Sequence, residues 1–309
     1  MSTWSDAILE RCRSLPAMRT AVVHPVKAIA IEAADDARRR HLIEPVLIGP
    51  AARIAEAAAE AGVDIAGWEV VDVEHSHAAA AKAVALAAGK GVDAIMKGAL
   101  HTDELLAAVV RSDAGLRTER RVSHAFVMNI ATYPKPFIIT DAAVNIAPAL
   151  EDKADIVRNA ADLWRAMFPD QGRPKVAVLA AVETVNPRMA ATLDAAALCK
   201  MADRGQIADC VIDGPLAFDN AVSAEAAKEK GIVSAVAGDA DILVVPDIES
   251  GNMLAKQLTF LSRAEIAGVV LGARVPIVLT SRADDEHARL LSCALAVLLV
   301  DARAAGRFK

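Results

Sequence analysis

The chain has 309 residues, 54% of them hydrophobic, which is enough for two cores or one large α/β domain. Its net charge of −6 comes from acids and bases mixed along the chain, which argues against a nucleic-acid or anionic-membrane surface; an anionic ligand must be met by local positive charge. The uncharged apolar run 290–300 is about half the ~20 residues of a bilayer span, and residues 1–6 lack a basic start with an apolar core, so a cytoplasmic protein is expected.

Residues 5–13 predict an opening helix and 20–25 the first strand. Helix and strand then alternate: 27–40 helical, 45–48 a strand, 51–61 helical, 68–73 a strand, 78–88 helical and 92–96 a strand ending in Lys97-Gly98. Such alternation, with continuous aliphatic strands, predicts parallel sheets covered by helices on both faces. His75-Ser76-His77 is the only close histidine pair, and because i and i+2 do not share a helix face it reads as a solvated helix start rather than a metal site.

His101-Thr102-Asp103 predicts a helix start with Thr102 as the cap. In the loop 115–124 stand Arg117, Arg120 and Arg121, a local positive charge that could hold a phosphate or could equally be a solvated loop. Residues 125–130 and 136–140 predict two strands in a hairpin-like pair, which breaks the alternation and suggests that the chain leaves its first domain here. Asp141 and Asn145 follow the second strand, as cleft residues or turn formers.

Further on, 152–168 predicts a long helix, 175–182 a strand, and Asn186-Pro187 the start of a helix running to residue 203, since Asn caps well and Pro suits the first helical position. Strands at 210–215, 242–245 and 268–272 and helices at 223–230 and after Asp247 complete a second α/β set. Residues 275–279 then predict a strand that ends in Thr280-Ser281-Arg282, placing hydroxyls and a planar cation at a sheet edge. Asp284, Asp285 and Glu286 suit the first turn of the helix that follows.

Cys12, Cys199, Cys210 and Cys293 form no C-x-x-C pair, so neither zinc nor a disulfide framework is suggested. There is no G-x-x-x-x-G-K-[ST], no early G-x-G-x-x-G and no G-x-S-x-G, which argues against a P-loop nucleotidase, the usual dinucleotide fingerprint and a nucleophile-elbow hydrolase.

Six stretches, in order along the chain, carry a resemblance: Lys97-Gly98; Val122-Ser123-His124-Ala125-Phe126-Val127-Met128; residues 138–145; Asp213-Gly214-Pro215-Leu216-Ala217-Phe218-Asp219-Asn220-Ala221; residues 246–252; and Leu279-Thr280-Ser281-Arg282-Ala283-Asp284. Together they resemble the phosphate acetyltransferase and phosphate butyryltransferase family, the butyryl branch more closely. The resemblance implies two α/β/α domains with mostly parallel sheets of the isocitrate/isopropylmalate-dehydrogenase-like kind, a site in the cleft between them, and a homodimer. With the last helix returning to the first domain, the expected division is 1–136 plus 285–309 against 137–284. The implied reaction is reversible transfer of a short acyl group between coenzyme A and inorganic phosphate, with no metal or cofactor.

The family's serine-arginine pair falls on Ser281 and Arg282, and a family arginine falls on Arg121. Lys97, Ser123, Asp141, Asn145 and Asn252 lie in matching stretches and are taken with Arg121 as substrate-binding candidates. The aspartate that serves the acetyl branch as base falls on Ala288, a departure; the nearby acids are Asp284, Asp285 and Glu286, of which Asp285 is selected for that role, and a different solution in the butyryl branch stays open. Two other readings stay open: a non-catalytic subunit that senses acyl-CoA, and a dehydrogenase on the same type of fold.

Overall fold

A computed structural model of the chain describes residues 4–279 and 285–308. The chain divides into two compact units, Met1–Arg120 with Ala267–Lys309, and Arg121–Ile266.

The first unit opens with α1 (Trp4–Cys12), β1 (Met18–Val23), α2 (Ala28–Arg39), β2 (Ile43–Gly49), α3 (Ala51–Ala61), β3 (Glu69–Asp72), α4 (Ser76–Ala88), β4 (Ala94–Lys97) and α5 (Thr102–Val110). From residue 267 on, β10 (Glu265–Leu271) returns the chain to this unit, followed by β11 (Ile277–Val278) and α11 (Glu286–Ala304). The strand order is β3-β2-β1-β4-β11-β10, parallel throughout except for the β10–β11 pair. Aliphatic strands of this kind need cover on both faces, and Ile31 of α2, Ile54 of α3 and Leu291 and Leu295 of α11 are all buried. Gly62 closes α3 in the left-handed conformation at φ 67°, which glycine adopts without a Cβ clash.

The second unit contains β5 (Ser123–Asn129), β6 (Phe137–Thr140), α6 (Leu150–Met167), β7 (Lys175–Leu179), α7 (Ala190–Asp203), β8 (Val211–Leu216), α8 (Phe218–Val222), α9 (Ala224–Glu229), β9 (Ile242–Val244) and α10 (Ile248–Leu261). Its strand order is β5-β6-β9-β7-β8; only β5 and β6 pair antiparallel. One core cluster gathers Phe137, Ile139, Leu243, Val245 and Leu258.

The expected fold class of two mostly parallel α/β units is the one observed, but the division falls elsewhere than 136/137 and 284/285. The β5–β6 hairpin keeps both its strands in the second unit. Conversely β10 pairs with β11, and β11 with β4, which places that strand pair in the first.

Two helix starts also differ. Thr102 is the first residue of α5 rather than its cap; the cap position is His101, whose side chain makes no capping bond. The helix expected from Asn186 begins at Ala190, because Asn186 Oδ1 accepts from the Arg188 N–H and so closes a local turn instead. His75 does cap a helix start, its Nδ1 accepting from the Ala78 N–H of α4.

Candidate active site

Topology explains why several candidate residues of the second unit meet. Because β5 runs antiparallel to β6, with Ala125 opposite Thr140, the residues entering β5 lie at the edge where the chain leaves β6. The segment leaving β9 reaches the same edge, since β9 is parallel to β6 with Val244 beside Thr140. Arg121, Ser123, Asp141, Asn145 and Asp247 thus come from three connections to one edge, where open α/β sheets place ligands.

Asp141 is the hub of this edge. It is buried, and its carboxylate accepts from the backbone N–H groups of Ala143 (2.9 Å), Val144 (3.0 Å) and Asn145 (3.1 Å) and from Asn145 Nδ2 (2.6 Å). Four donors on one buried carboxylate offset its desolvation and fix the turn 141–145. Asn145 Nδ2 also donates to the Val122 carbonyl at 2.9 Å, and Asn145 Oδ1 accepts from Arg121 Nε at 2.8 Å.

Helix α6 supplies a second set of contacts, spaced to present one face. Asp152 Oδ1 lies 3.6 Å from Arg121 Nε, Asp155 Oδ2 accepts from the Arg121 backbone N–H at 2.9 Å, and Asn159 Nδ2 donates both to the Arg121 carbonyl and to Ser123 Oγ, each at 2.9 Å. These three residues stand in no motif, although their spacing on an amphipathic helix is a usable signal. Ser123 itself is fully buried.

Asn252 belongs to the same edge: its Nδ2 donates to the Ala142 carbonyl at 3.2 Å, next in chain to Asp141. It is carried on α10, whose cap Asp247 accepts from Ser250 N at 2.8 Å. That backbone bond holds the Asp247 carboxyl below the usual range, against some desolvation, and Ser250 Oγ adds a second donor. His124, the neighbour of Ser123, is buried against the edge of Phe126, and burial pushes its imidazole down to about 4 against the opposing pull of the Asp141 charge.

In the first unit Lys97 stands at the carboxyl end of β4. Strand β1 lies between β2 and β4, so the connections diverge at β1 and leave a crevice beyond the strand ends. Lys97 Nζ reaches the Gly98 carbonyl at 3.3 Å. Gly98 crosses so close to β1 that a Cβ there would overlap the Val23 carbonyl oxygen and stand 2.9 Å from that of His24. His24 follows β1 with φ at 56°, a conformation uncommon for a side chain of its size. Burial is the largest cause lowering its pKa, followed by the Arg53 charge.

Of the three catalytic candidates, Ser281 and Arg282 lie outside the described residues. Asp285 is described: it caps α11, its Oδ1 accepting from the Ala288 N–H at 2.8 Å, and it is exposed. The structure therefore groups Arg121, Ser123, Asp141, Asn145 and Asn252 in the second unit and places Lys97 and Asp285 in the first.

Comparison with known proteins gives one family, described as phosphate acetyl/butaryl transferase, which matches residues 76–297. A relative named phosphate acetyltransferase, from Rickettsia prowazekii, is 60% identical over 289 residues, covering 94% of this chain and 82% of that protein. One named phosphate butyryltransferase, from Clostridium beijerinckii, is 38% identical over 299 residues, covering 97% and 98%. Between these two the likeness is closer to the acetyl-named protein, the reverse of what the motifs suggested. Among solved structures, a branched-chain phosphotransacylase from Enterococcus faecalis matches with a TM-score of 0.79 at 29% identity, over 92% of this chain and 99% of that one.

Proposed function

The chain belongs to the phosphate acetyl/butyryl transferase family, and on that footing we propose that it transfers a short acyl group reversibly between coenzyme A and inorganic phosphate. The observation that carries this reading is the 60% identity with a phosphate acetyltransferase over 94% of the chain. In the direction of acyl phosphate synthesis, a phosphate oxygen bonds to the thioester carbonyl carbon, the carbon–sulfur bond breaks, and the proton leaving phosphate passes to the thiolate. Acyl phosphate and free coenzyme A result, with no redox change.

A dianionic nucleophile needs a cation to orient it, a donor for the developing oxyanion and a group that moves a proton at sulfur. Arg282 takes the first role, Ser281 the second and Asp285 the third, with Arg121 and Lys97 as further cations for phosphate groups. Asp285 stands one helical turn before Ala288, the position where the acetyl branch carries its base, and its carboxylate caps that turn. Phosphate attacks directly, with no acyl-enzyme, and the reading invokes no metal or cofactor. A cytoplasmic homodimer is the assembly and location that go with it.

The test is phosphate-dependent release of free thiol from acetyl-, propionyl- and butyryl-CoA, with Ser281→Ala and Arg282→Ala beside the parent. Release that requires phosphate and falls in both variants is expected, with Arg282→Ala losing phosphate use far more than acyl-CoA binding. Thiol release independent of phosphate, or an acyl group trapped on Ser281 by mass spectrometry, would overturn the direct transfer.

A further inference from the structure

We infer that Asn145 and Asp141 are positioning residues for Arg121: they grip its guanidinium at Nε and turn the Nη1/Nη2 edge toward a phosphate group, without touching the ligand themselves. The inference rests on the acyltransferase reading for the nature of the ligand, and on hydrogen-bond geometry for the rest.

The orientation of the Asn145 amide follows from its partners. The Asp141 carboxylate and the Val122 carbonyl can only accept, so the group facing both is Nδ2, and Oδ1 is left facing the Arg121 Nε–H. A flipped amide would set an oxygen against two acceptors and an NH2 against a guanidinium. Asp141 cannot yield, because three backbone N–H groups hold its carboxylate in place. The relay runs Asp141 Oδ2, Asn145 Nδ2, Asn145 Oδ1, Arg121 Nε, with its first two residues buried and its last 57% exposed at the side chain.

Engaging a guanidinium through Nε has a specific consequence. The two terminal nitrogens remain as a planar fork, and among the described residues neither donates a hydrogen bond. That fork is the geometry that binds two oxygens of a phosphate at once. Asp152, 3.6 Å from Nε, offsets part of the guanidinium charge. The backbone of Arg121 is pinned separately by Asp155 and Asn159, so the whole residue is held before any ligand arrives, and less side-chain freedom remains to be lost on binding.

The phosphate could belong to inorganic phosphate or to coenzyme A, and titration calorimetry distinguishes them. The parent, Asn145→Ala, Arg121→Lys and the double variant are each titrated with inorganic phosphate, coenzyme A and 3′-dephospho-coenzyme A. Arg121→Lys keeps the charge at an exposed position but lacks the Nε–H, so it breaks the relay without disturbing the buried turn. On the inference, each single variant weakens binding of one phosphate source about tenfold, the scale of a lost charge-assisted hydrogen bond, and the double variant is no weaker than Arg121→Lys alone. In turnover the same loss falls on the KM for that substrate, with kcat little changed.

Equal losses from Asn145→Ala in both backgrounds would make Asn145 a ligand contact or a structural residue and overturn the relay. Unchanged affinities in Arg121→Lys would overturn it too. A parent that binds these ligands but shows no phosphate-dependent thiol release sinks the transferase reading while leaving the relay standing; a parent that binds none of them sinks both.

Discussion

Lys153 Nζ lies 2.6 Å from Asp194 Oδ2, tying α6 to α7 through an ion pair whose lysine side chain is 6% exposed and whose aspartate is 25% exposed. The two ends are therefore unequal: water can replace the lysine around Asp194, whereas Lys153 without its partner keeps a buried charge. Asp194→Ala is expected to destabilise the protein by roughly 3 kcal/mol in urea unfolding, and Lys153→Met by clearly less. Equal losses would mean that the difference in burial does not govern the pair.

Capping and proton transfer can be separated at Asp285. An asparagine there still accepts from the Ala288 N–H, so Asp285→Asn should keep the melting temperature but lose acyl transfer if the carboxylate moves a proton. Asp285→Ala should lose that activity and also about 1 kcal/mol of stability through the missing cap. An active Asp285→Asn would reduce Asp285 to a helix cap.

Gly98→Ala places a methyl group on the carbonyls of Val23 and His24, both of which already accept from this turn: Gly98 N donates to Val23 O at 2.9 Å and Ala99 N to His24 O at 3.0 Å. Backbone cannot move aside as a side-chain tip can. A loss of about 1–3 kcal/mol in unfolding free energy is expected, the range for overpacking, with Lys97 displaced in consequence. A variant as stable as the parent would show that β4 and β1 can separate freely at this edge.

The buried His124 makes stability depend on pH. Its folded pKa, lowered to about 4 from an ordinary 6.5, keeps the ring neutral in the fold, while the unfolded chain takes up a proton below 6.5. Stability is thus expected to decline as pH falls from about 6.5 toward 4, by up to ~3 kcal/mol from this group. Urea unfolding between pH 4.5 and 7.5 measures the slope, and His124→Phe, which keeps the ring against Phe126, should flatten it. An unchanged slope in the variant would assign the dependence to other groups.

Much of the fold can be read from local pattern. The βαβα alternation, the β5–β6 hairpin and the helix starts at 75–77 and after Asp247 are short-range effects that the residues state directly. Asn186-Pro187 misleads because a turn uses the same asparagine oxygen that a cap would. Strand order is set by tertiary packing, so nothing local shows that β11 inserts between β4 and β10. The site is legible in a similar measure. Motifs single out Arg121, Asp141 and Asn145, but the bond from Arg121 to Asn145 spans 24 positions and depends on the hairpin register, so no local pattern shows that these side chains meet.

The first unit is discontinuous in the chain: β11, next to β4 inside its sheet, and the buried helix α11 come from the far end of the sequence. A ribosome therefore delivers all of Arg121–Ile266 before it delivers the strand that covers β4. During that interval the nascent chain carries an open β4 edge and the uncovered apolar surface that α11 will later shield, features that invite intermolecular association. Translation that pauses or stops before β11 should yield chains whose middle folds while their beginning cannot, and these are the species a chaperone would be found holding.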